Sequence, residues 1–441
     1  CLCGLLFKSS CSLYGFLSVL QYSITPALHG DTVNCNEPRP HLAILTTHPI
    51  QYQVPLFREL AQDPRHRLTV LFASLQGAVS GRDPGFGRDM QWDIPMLGGY
   101  ESELLKNVAR NPSVSTFWGT NVPTLVARFR DLRPDVVLIP GWGRRYYLQG
   151  IRAARALGIP YLIRGEARLT PNQTRIRSLV KRCLVSPLVR GAAALLTIGE
   201  ANRKFYRWCG ADESRFFDSL YGVDNAFFAE ARAARDGREM ALRERWNIPR
   251  DSLVFVFVGK LIGKKNPMDF LLALDALSPQ GGDDRNMRRW HGLIVGDGPL
   301  RDACEAFVRE RRLNVTFTGF LNQTELADAY SAGDCLVLPS DYGETWGLVV
   351  NEAMASGLCA VVSERAGCAP DLIREGQTGF TFPMGDTGAL AAILARLLAN
   401  PEEVAAMKRA AGLHVQRYGV AQAANGVVRA ALAVTKDTCP A

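Results

Sequence analysis

Two glutamates with seven residues between them, Glu344 and Glu352, stand in the run Pro339-Ser340-Asp341-Tyr342-Gly343-Glu344-Thr345-Trp346-Gly347-Leu348 and its continuation Asn351-Glu352-Ala353-Met354-Ala355-Ser356-Gly357. The apolar run 335–338 predicts a strand ending at Pro339, and the pattern beyond it predicts a helix starting near Trp346 or Gly347. Glu344 then lies in the loop and Glu352 on the helix, up to about 12 Å further along the axis at ~1.5 Å per residue. Carboxylates so far apart are poor partners for one shared proton. They suit one extended polar ligand gripped at two places, with phosphates near the unpaired N–H groups of the helix start. A helix-capping acid beside an unrelated solvated glutamate is the alternative.

Two further loops carry compatible chemistry. In Val258-Gly259-Lys260-Leu261-Ile262-Gly263-Lys264-Lys265-Asn266-Pro267, three lysines follow an apolar strand, and Pro267 suits the first turn of a helix. Ammonium groups there could neutralise a diphosphate as its bond to carbon breaks. The run lacks the spaced glycines of a Walker loop, and a solvated basic loop is the alternative. In Val295-Gly296-Asp297-Gly298-Pro299, Gly296 and Gly298 permit close backbone approach, although a plain turn has the same composition. Thr318, Phe320 and Leu321, beyond another strand, could border a flat base.

The first half offers candidates for the acceptor or sugar side. His48 and Tyr52 sit in the polar loop Thr47-His48-Pro49-Ile50-Gln51-Tyr52, and Arg164 and Glu166 in Arg164-Gly165-Glu166-Ala167-Arg168. A structural histidine and a local Arg–Glu pair are the competing readings. Gly141-Trp142-Gly143-Arg144-Arg145-Tyr146-Tyr147 could supply stacking and phosphate contacts or simply wall a cleft. Arg175, Arg177, Lys181 and Arg182, interleaved with Ile176, Leu179, Val180 and Leu184, form a basic amphipathic stretch suited to an anionic lipid surface or to an ordinary surface helix.

These loops need strands and helices to position them, and short apolar runs alternate with helical stretches through most of the chain. Strands are expected at Leu42–Thr46, Leu68–Ala73, Val136–Pro140, Pro160–Ile163 and Ala193–Ile198, and again at Leu253–Val258, Gly292–Val295, Val315–Thr318, Cys335–Leu338 and Cys359–Val362. That alternation predicts two doubly wound parallel sheets, each covered on both faces, with ligands beyond the strands' carboxyl ends. The expected organisation is an uncertain leader over 1–38, a first domain over 39–220, a linker over 221–250, a second domain over 251–400, and a helical tail over 401–441 that could pack back on the first domain.

With 47% hydrophobic and 21% charged residues, the chain can bury ordinary cores, which excludes wholesale disorder. The net charge of +8 is spread out, without a basic block interleaved with aromatics, so nucleic acid is not an expected partner. The eleven cysteines form no metal-ligand spacing, and Cys335 and Cys359 read as reduced, buried thiols. A metal site is not expected. Residues 11–28 carry Ser12, Ser18, Gln21 and Ser23, which is poor material for a membrane span. A cytoplasmic protein is expected, with peripheral attachment to a membrane's cytoplasmic face or organelle targeting as variants.

Together these motifs resemble the retaining glycosyltransferases of family 4, which have the GT-B fold of two Rossmann-like domains facing a cleft. The resemblance spans about Pro40 to Tyr418 and is strongest from Tyr221 onward. It rests on the Glu344/Glu352 spacing, on Pro339-Ser340, Gly347-Leu348, Gly357, Gly367, Gly376 and Thr378-Gly379-Phe380, and on Gly222-Val223-Asp224 with Phe227 or Phe228. It implies a nucleoside diphosphate sugar donor (a UDP-, GDP- or ADP-sugar) and a glycan, lipid-linked or small-molecule acceptor. Lys260 and Lys265 would clamp the diphosphate, with Lys264 competing for the second place. Glu344 would meet the transferred sugar and Glu352 the ribose, and Thr345, Trp346, Gly347 and Leu348 would line the phosphates near Gly259. The family's front-face route, in which the departing phosphate helps deprotonate the acceptor, would follow. Two departures stand out: His48–Tyr52 replaces a glycine-rich loop, and Arg164-Gly165-Glu166 stands where many members carry a histidine. A sugar-nucleotide 2-epimerase, a phosphorylase and a non-catalytic sugar-nucleotide-binding protein are the competing functions.

Overall fold

The computed structural model describes residues 39–79, 81–83, 88–90, 92–169, 174–278 and 290–436, so the leader expected over 1–38 lies outside the described residues. The strands of the first half are β1 (His41–Thr46), β2 (Arg67–Phe72), the hairpin strands β3 (Gly81–Asp83) and β4 (Arg88–Met90), β5 (Ser102–Leu104), β6 (Val136–Ile139), β7 (Tyr161–Ile163), β8 (Ala194–Thr197) and β9 (Phe216–Asp218). All except the hairpin form one parallel sheet in the order β5-β2-β1-β6-β7-β8-β9. The second half contributes β10 (Leu253–Val258), β11 (Trp290–Val295), β12 (Val315–Gly319), β13 (Cys335–Leu338), β14 (Cys359–Ser363) and β15 (Gly379–Phe382). They form a second parallel sheet in the order β12-β11-β10-β13-β14-β15. Two doubly wound sheets facing a cleft make this the GT-B fold.

The apolar runs form central strands because each must be covered on both faces. Val254, Val256 and Val258 of β10 point into one core, while Phe255 and Phe257 point into the other. The same alternation splits β1, with Ala43 and Leu45 on one side and Leu42 and Ile44 on the other. Cys335 and Cys359 are buried free thiols on adjacent strands, and burial pushes the Cys335 thiol well above its ordinary range.

The helical tail does two jobs. Helix Pro401–Val415 packs on the second half through Ala411 and Val415, while helix Val420–Lys436 returns to the first sheet. Its Ala423, Ala424, Val427, Val428, Ala430 and Ala431 cover the face formed by Leu42, Ile44, Val136 and Leu196. Small side chains let this helix lie close to the strands.

One strut between the halves is sensitive to pH. The Asp371 carboxylate accepts the Glu200 backbone N–H at 3.2 and 3.1 Å, its own carbonyl meets His414 Nε2 at 2.8 Å, and burial lifts its carboxyl from 3.8 to about 6. The folded chain therefore takes up this proton before the unfolded chain does. The resulting stabilisation is complete below 3.8 and lost as pH rises through about 6. Its size is on the order of 2–3 kcal/mol. In urea titrations, the stability of wild type relative to Asp371→Asn should fall by about that much between about pH 4 and pH 6.5. A difference that stays flat with pH would contradict the assignment.

Candidate functional site

The second sheet reverses its strand order between β10 and β13, so the loops leaving these two strands diverge and open a crevice. They are also tied together. Asp341 N–H donates to the Lys264 carbonyl at 2.9 Å, and Asn266 Nδ2 donates to the Pro339 carbonyl at 3.1 Å. This stitching brings together two of the charges that the sequence singled out. Lys265 Nζ is paired with the Glu344 carboxylate, both side chains being almost nine-tenths buried, and Ser340 Oγ donates to the same carboxylate oxygen at 3.4 Å. A buried pair of this kind gains little net stability, because desolvation offsets the attraction. It is suited to being exchanged for a ligand's charges.

Glu352 lies on helix Leu348–Ala355, whose N-cap is Gly347 at φ 108°, a left-handed conformation that a side chain would strain. Tyr330 Oη donates to Glu352 Oε2 at 2.7 Å. Burial raises the Glu352 carboxyl above its usual range, opposed by the Tyr330 hydrogen bond and the Lys265 charge. Thus Lys265 is ion-paired with Glu344 while its field also reaches Glu352. Lys260 follows Gly259 at the end of β10 on the same rim.

A slot of about 150 Å³ runs from this point, lined by Gly259, Gly296, Phe320, Leu321, Leu326, Val349 and Glu352, with Gln51 and Trp92 reaching in from the first half. Gly296 has φ +136°, and a Cβ there would lie 1.9 Å from the Gly259 carbonyl oxygen. The glycine is thus required where two loop backbones cross. Gly298 packs on Leu261 in the same way. Thr318 Oγ1 donates to the Gly319 carbonyl at 2.8 Å, closing the end of β12. A larger cavity of about 380 Å³ is lined by Arg58, Glu59, Asn225, Gly419 and Gln422 among others. It contains none of the strand-end loops of the second sheet, so chemistry rather than volume identifies the site.

Other candidates take more structural places. The Trp346 side chain is buried, its Nε1–H donating to Asn351 Oδ1 at 2.8 Å, which leaves the loop backbone as the surface for a ligand. Arg164 donates to Ser219 Oγ at 2.9 Å and to the Ser219 carbonyl at 3.1 Å, and stacks on Tyr221 at 4.9 Å. Its guanidinium therefore braces the hinge. Glu166 accepts from Tyr221 Oη and, at 3.0 Å, from Thr345 Oγ1, joining the first half to the Glu344 loop. Tyr52 packs its ring 5.9 Å from Tyr221. His48 Nδ1 lies 2.9 Å from Thr47 Oγ1, and burial, followed by the Arg144 charge, lowers its pKa to about 4. At neutral pH it is a neutral imidazole, able to exchange hydrogen bonds with a hydroxyl but not to serve as a cation.

Of two further residues near these loops, Arg168 was named from sequence only as the end of the run Arg164–Arg168, and Trp92 was not named at all. Arg168 Nη2 donates to the Tyr342 carbonyl at 2.6 Å, its guanidinium feels the Glu344 charge, and its buried Nε has no partner. Trp92 roofs the slot. Its aromatic type was the one available signal, and nothing in its local run places it beside residues far along the chain. Among the described residues, no cluster of three or more His, Cys, Asp or Glu could hold a metal ion.

Comparisons with known proteins agree with this geometry. Residues 239–413 match the family described as glycosyl transferases group 1. The chain is 42% identical over 200 residues to the sulfoquinovosyl transferase of Arabidopsis thaliana, covering 45% of this chain and 36% of that protein. It is 28% identical over 316 residues to the GDP-mannose-dependent alpha-mannosyltransferase of Corynebacterium glutamicum, covering 69% and 68%. Matches span from about a third to about two thirds of the length of the curated relatives. Anabaena HepE, in complex with UDP and glucose, shares the fold at a TM-score of 0.63 and 16% identity, over 88% of this chain and 98% of that one. Sucrose-phosphate synthase from Thermosynechococcus elongatus does so at 0.63 and 19%, over 89% and 98%.

Proposed function

We propose that the chain is a retaining glycosyltransferase that moves a hexose-like unit from a nucleoside diphosphate sugar to a hydroxyl acceptor. The observation that carries this reading is the buried Lys265–Glu344 pair at the switch point of the second sheet, with Lys265 packed beside Gly259 of a slot that Glu352 also lines. The base enters the slot beside Gly296, Phe320 and Leu321, and the ribose hydroxyls donate to Glu352. The diphosphate lies against Lys260, Lys265 and the N–H groups at the start of helix Leu348–Ala355. On binding, Lys265 passes from Glu344 to the phosphates, which frees Glu344 to accept hydrogen bonds from the sugar. As the anomeric bond breaks, the lysines stabilise the growing phosphate charge, and that phosphate takes the acceptor's proton from the same face.

The similarity to a sulfoquinovosyl transferase and a mannosyltransferase supports transfer over epimerisation or phosphorolysis. Purified protein incubated with UDP-, GDP- and ADP-sugars should release the nucleoside diphosphate from one class of donor. Release from none of them, with or without added magnesium, would sink the reading.

A peripheral membrane setting fits helix Arg175–Arg190. Ile176, Leu179, Val180 and Leu184 form a stripe at helical spacing and are 76%, 62%, 52% and 70% exposed. Lys181 and Arg182 lie over the rings of Phe205 and Trp208. An outward apolar stripe with cations on its flank matches an anionic bilayer surface, and no helix among the described residues is long and apolar enough to cross a membrane. The protein should sediment with anionic vesicles at low salt, and Ile176→Glu with Leu184→Glu should abolish this. Failure of wild type to sediment would reject the membrane role.

A further inference from the structure

We infer that Trp92 and Asp93 form a latch from the first half of the chain that closes over the base end of the donor slot and governs entry and release of the nucleotide. The inference rests on the donor reading above. The half-buried Trp92 ring lies 6.3 Å from the Phe320 ring and lines the slot together with Gln51. The adjacent Asp93 holds this roof in place. Its carboxylate accepts the Thr324 backbone N–H at 3.1 Å and the Thr324 hydroxyl, and its own N–H donates to Asn322 Oδ1 at 3.4 Å.

These contacts fall on the first turn of helix Gln323–Ala332. That helix already has its own capping box, in which the Asn322 side chain accepts from the first turn and Glu325 accepts the Asn322 N–H at 3.3 Å. Asp93 adds an acceptor for one more unpaired N–H and places a carboxylate at the positive end of the helix. The bond thus joins two sequence segments more than 200 positions apart, across the cleft, and beside the slot rather than within either core. Asp93 is exposed, so breaking the bond costs little, and the roof can lift without disturbing either sheet. Closed, Trp92 adds an aromatic wall to a slot whose other walls come from the second half. Open, it leaves the base end accessible from the cleft.

The test measures binding rather than turnover, using calorimetry with UDP, GDP, ADP and inorganic pyrophosphate on wild type, Trp92→Ala, Asp93→Ala, Thr324→Ala and the Asp93→Ala/Thr324→Ala double variant. Trp92→Ala should weaken the best-bound nucleotide by about tenfold while leaving pyrophosphate binding unchanged, because only the nucleotide has a base to cover. Asp93→Ala should weaken it about threefold, Thr324→Ala by less because the backbone N–H at 324 still reaches Asp93, and the double variant no more than Asp93→Ala, because the hydroxyl has no other partner at position 93. A damaged fold would reduce pyrophosphate binding as well, which makes that ligand the internal control. Equal nucleotide affinity in wild type and Trp92→Ala, or losses at positions 93 and 324 that multiply, would overturn the latch. If wild type binds pyrophosphate but none of the three nucleotides, the donor reading falls and the latch with it.

Discussion

Lys265→Ala will lower donor turnover by about 10²–10³-fold at saturating donor, the usual cost of removing one group that stabilises charge developing in a transition state. Acceptor KM should change by less than about twofold, since the lost interaction grows only as the leaving phosphate becomes free. The variant also strips Glu344 of its buried counter-ion, and an uncompensated buried charge costs about 3–5 kcal/mol unless it takes up a proton. Stability therefore has to be separated from catalysis. In Lys265→Ala/Glu344→Gln no unpaired charge remains, so the melting temperature should recover most of its loss while turnover stays low. Turnover near wild type in Lys265→Ala at saturating donor would show that this lysine only balances Glu344.

The second large effect belongs to Glu344→Gln, which keeps the shape of the side chain and removes its charge. Glu344 neutralises Lys265, and with donor bound it is proposed to hold the sugar hydroxyls. Loss of charge-assisted hydrogen bonds to the sugar should reduce donor hydrolysis and transfer by about 10²-fold, mainly in kcat. Binding of the free nucleoside diphosphate should be retained or improved, because Lys265 no longer has to leave a carboxylate to meet the phosphates. Weakened binding of the free nucleotide with normal turnover would place Glu344 on the nucleotide rather than the sugar. A covalent glycosyl adduct trapped on Glu344 would replace the front-face route with a double displacement.

What could be read without the structure divides along physical lines. The central strands were legible because burial on both faces demands unbroken apolar runs: Leu253–Val258 and Cys335–Leu338 are strands over those same residues. The edge strands Ser102–Leu104 and Phe216–Asp218 were not, since a half-exposed strand of three residues is too short to show such a run. Glu344, Glu352 and Lys265 could be named because they stand at fixed offsets from strand ends and helix starts. Their ion pair could not, because it depends on Asn266 and Asp341 stitching the two loops together. The Arg164 and Glu166 side chains are engaged at the hinge and the Thr345 bridge, contacts set by how the halves meet rather than by local pattern. Trp92 and Asp93 meet Phe320 and Thr324 across the cleft for the same reason. The amphipathic stretch predicted a helix, but only packing reveals that its apolar stripe faces outward.

We propose that Glu344 and Glu352 are two grips on one ligand, with Lys265 exchanging between a carboxylate and a diphosphate. Hydrogen exchange of the intact protein, with and without its preferred nucleotide sugar, tests this most directly. The account predicts slower exchange on donor binding in three segments, 258–266, 295–300 and 343–352, with no change around Arg58, Asn225 and Gln422 at the larger cavity. Protection centred on that larger cavity, or none in the three strand-end segments at saturating donor, would contradict it.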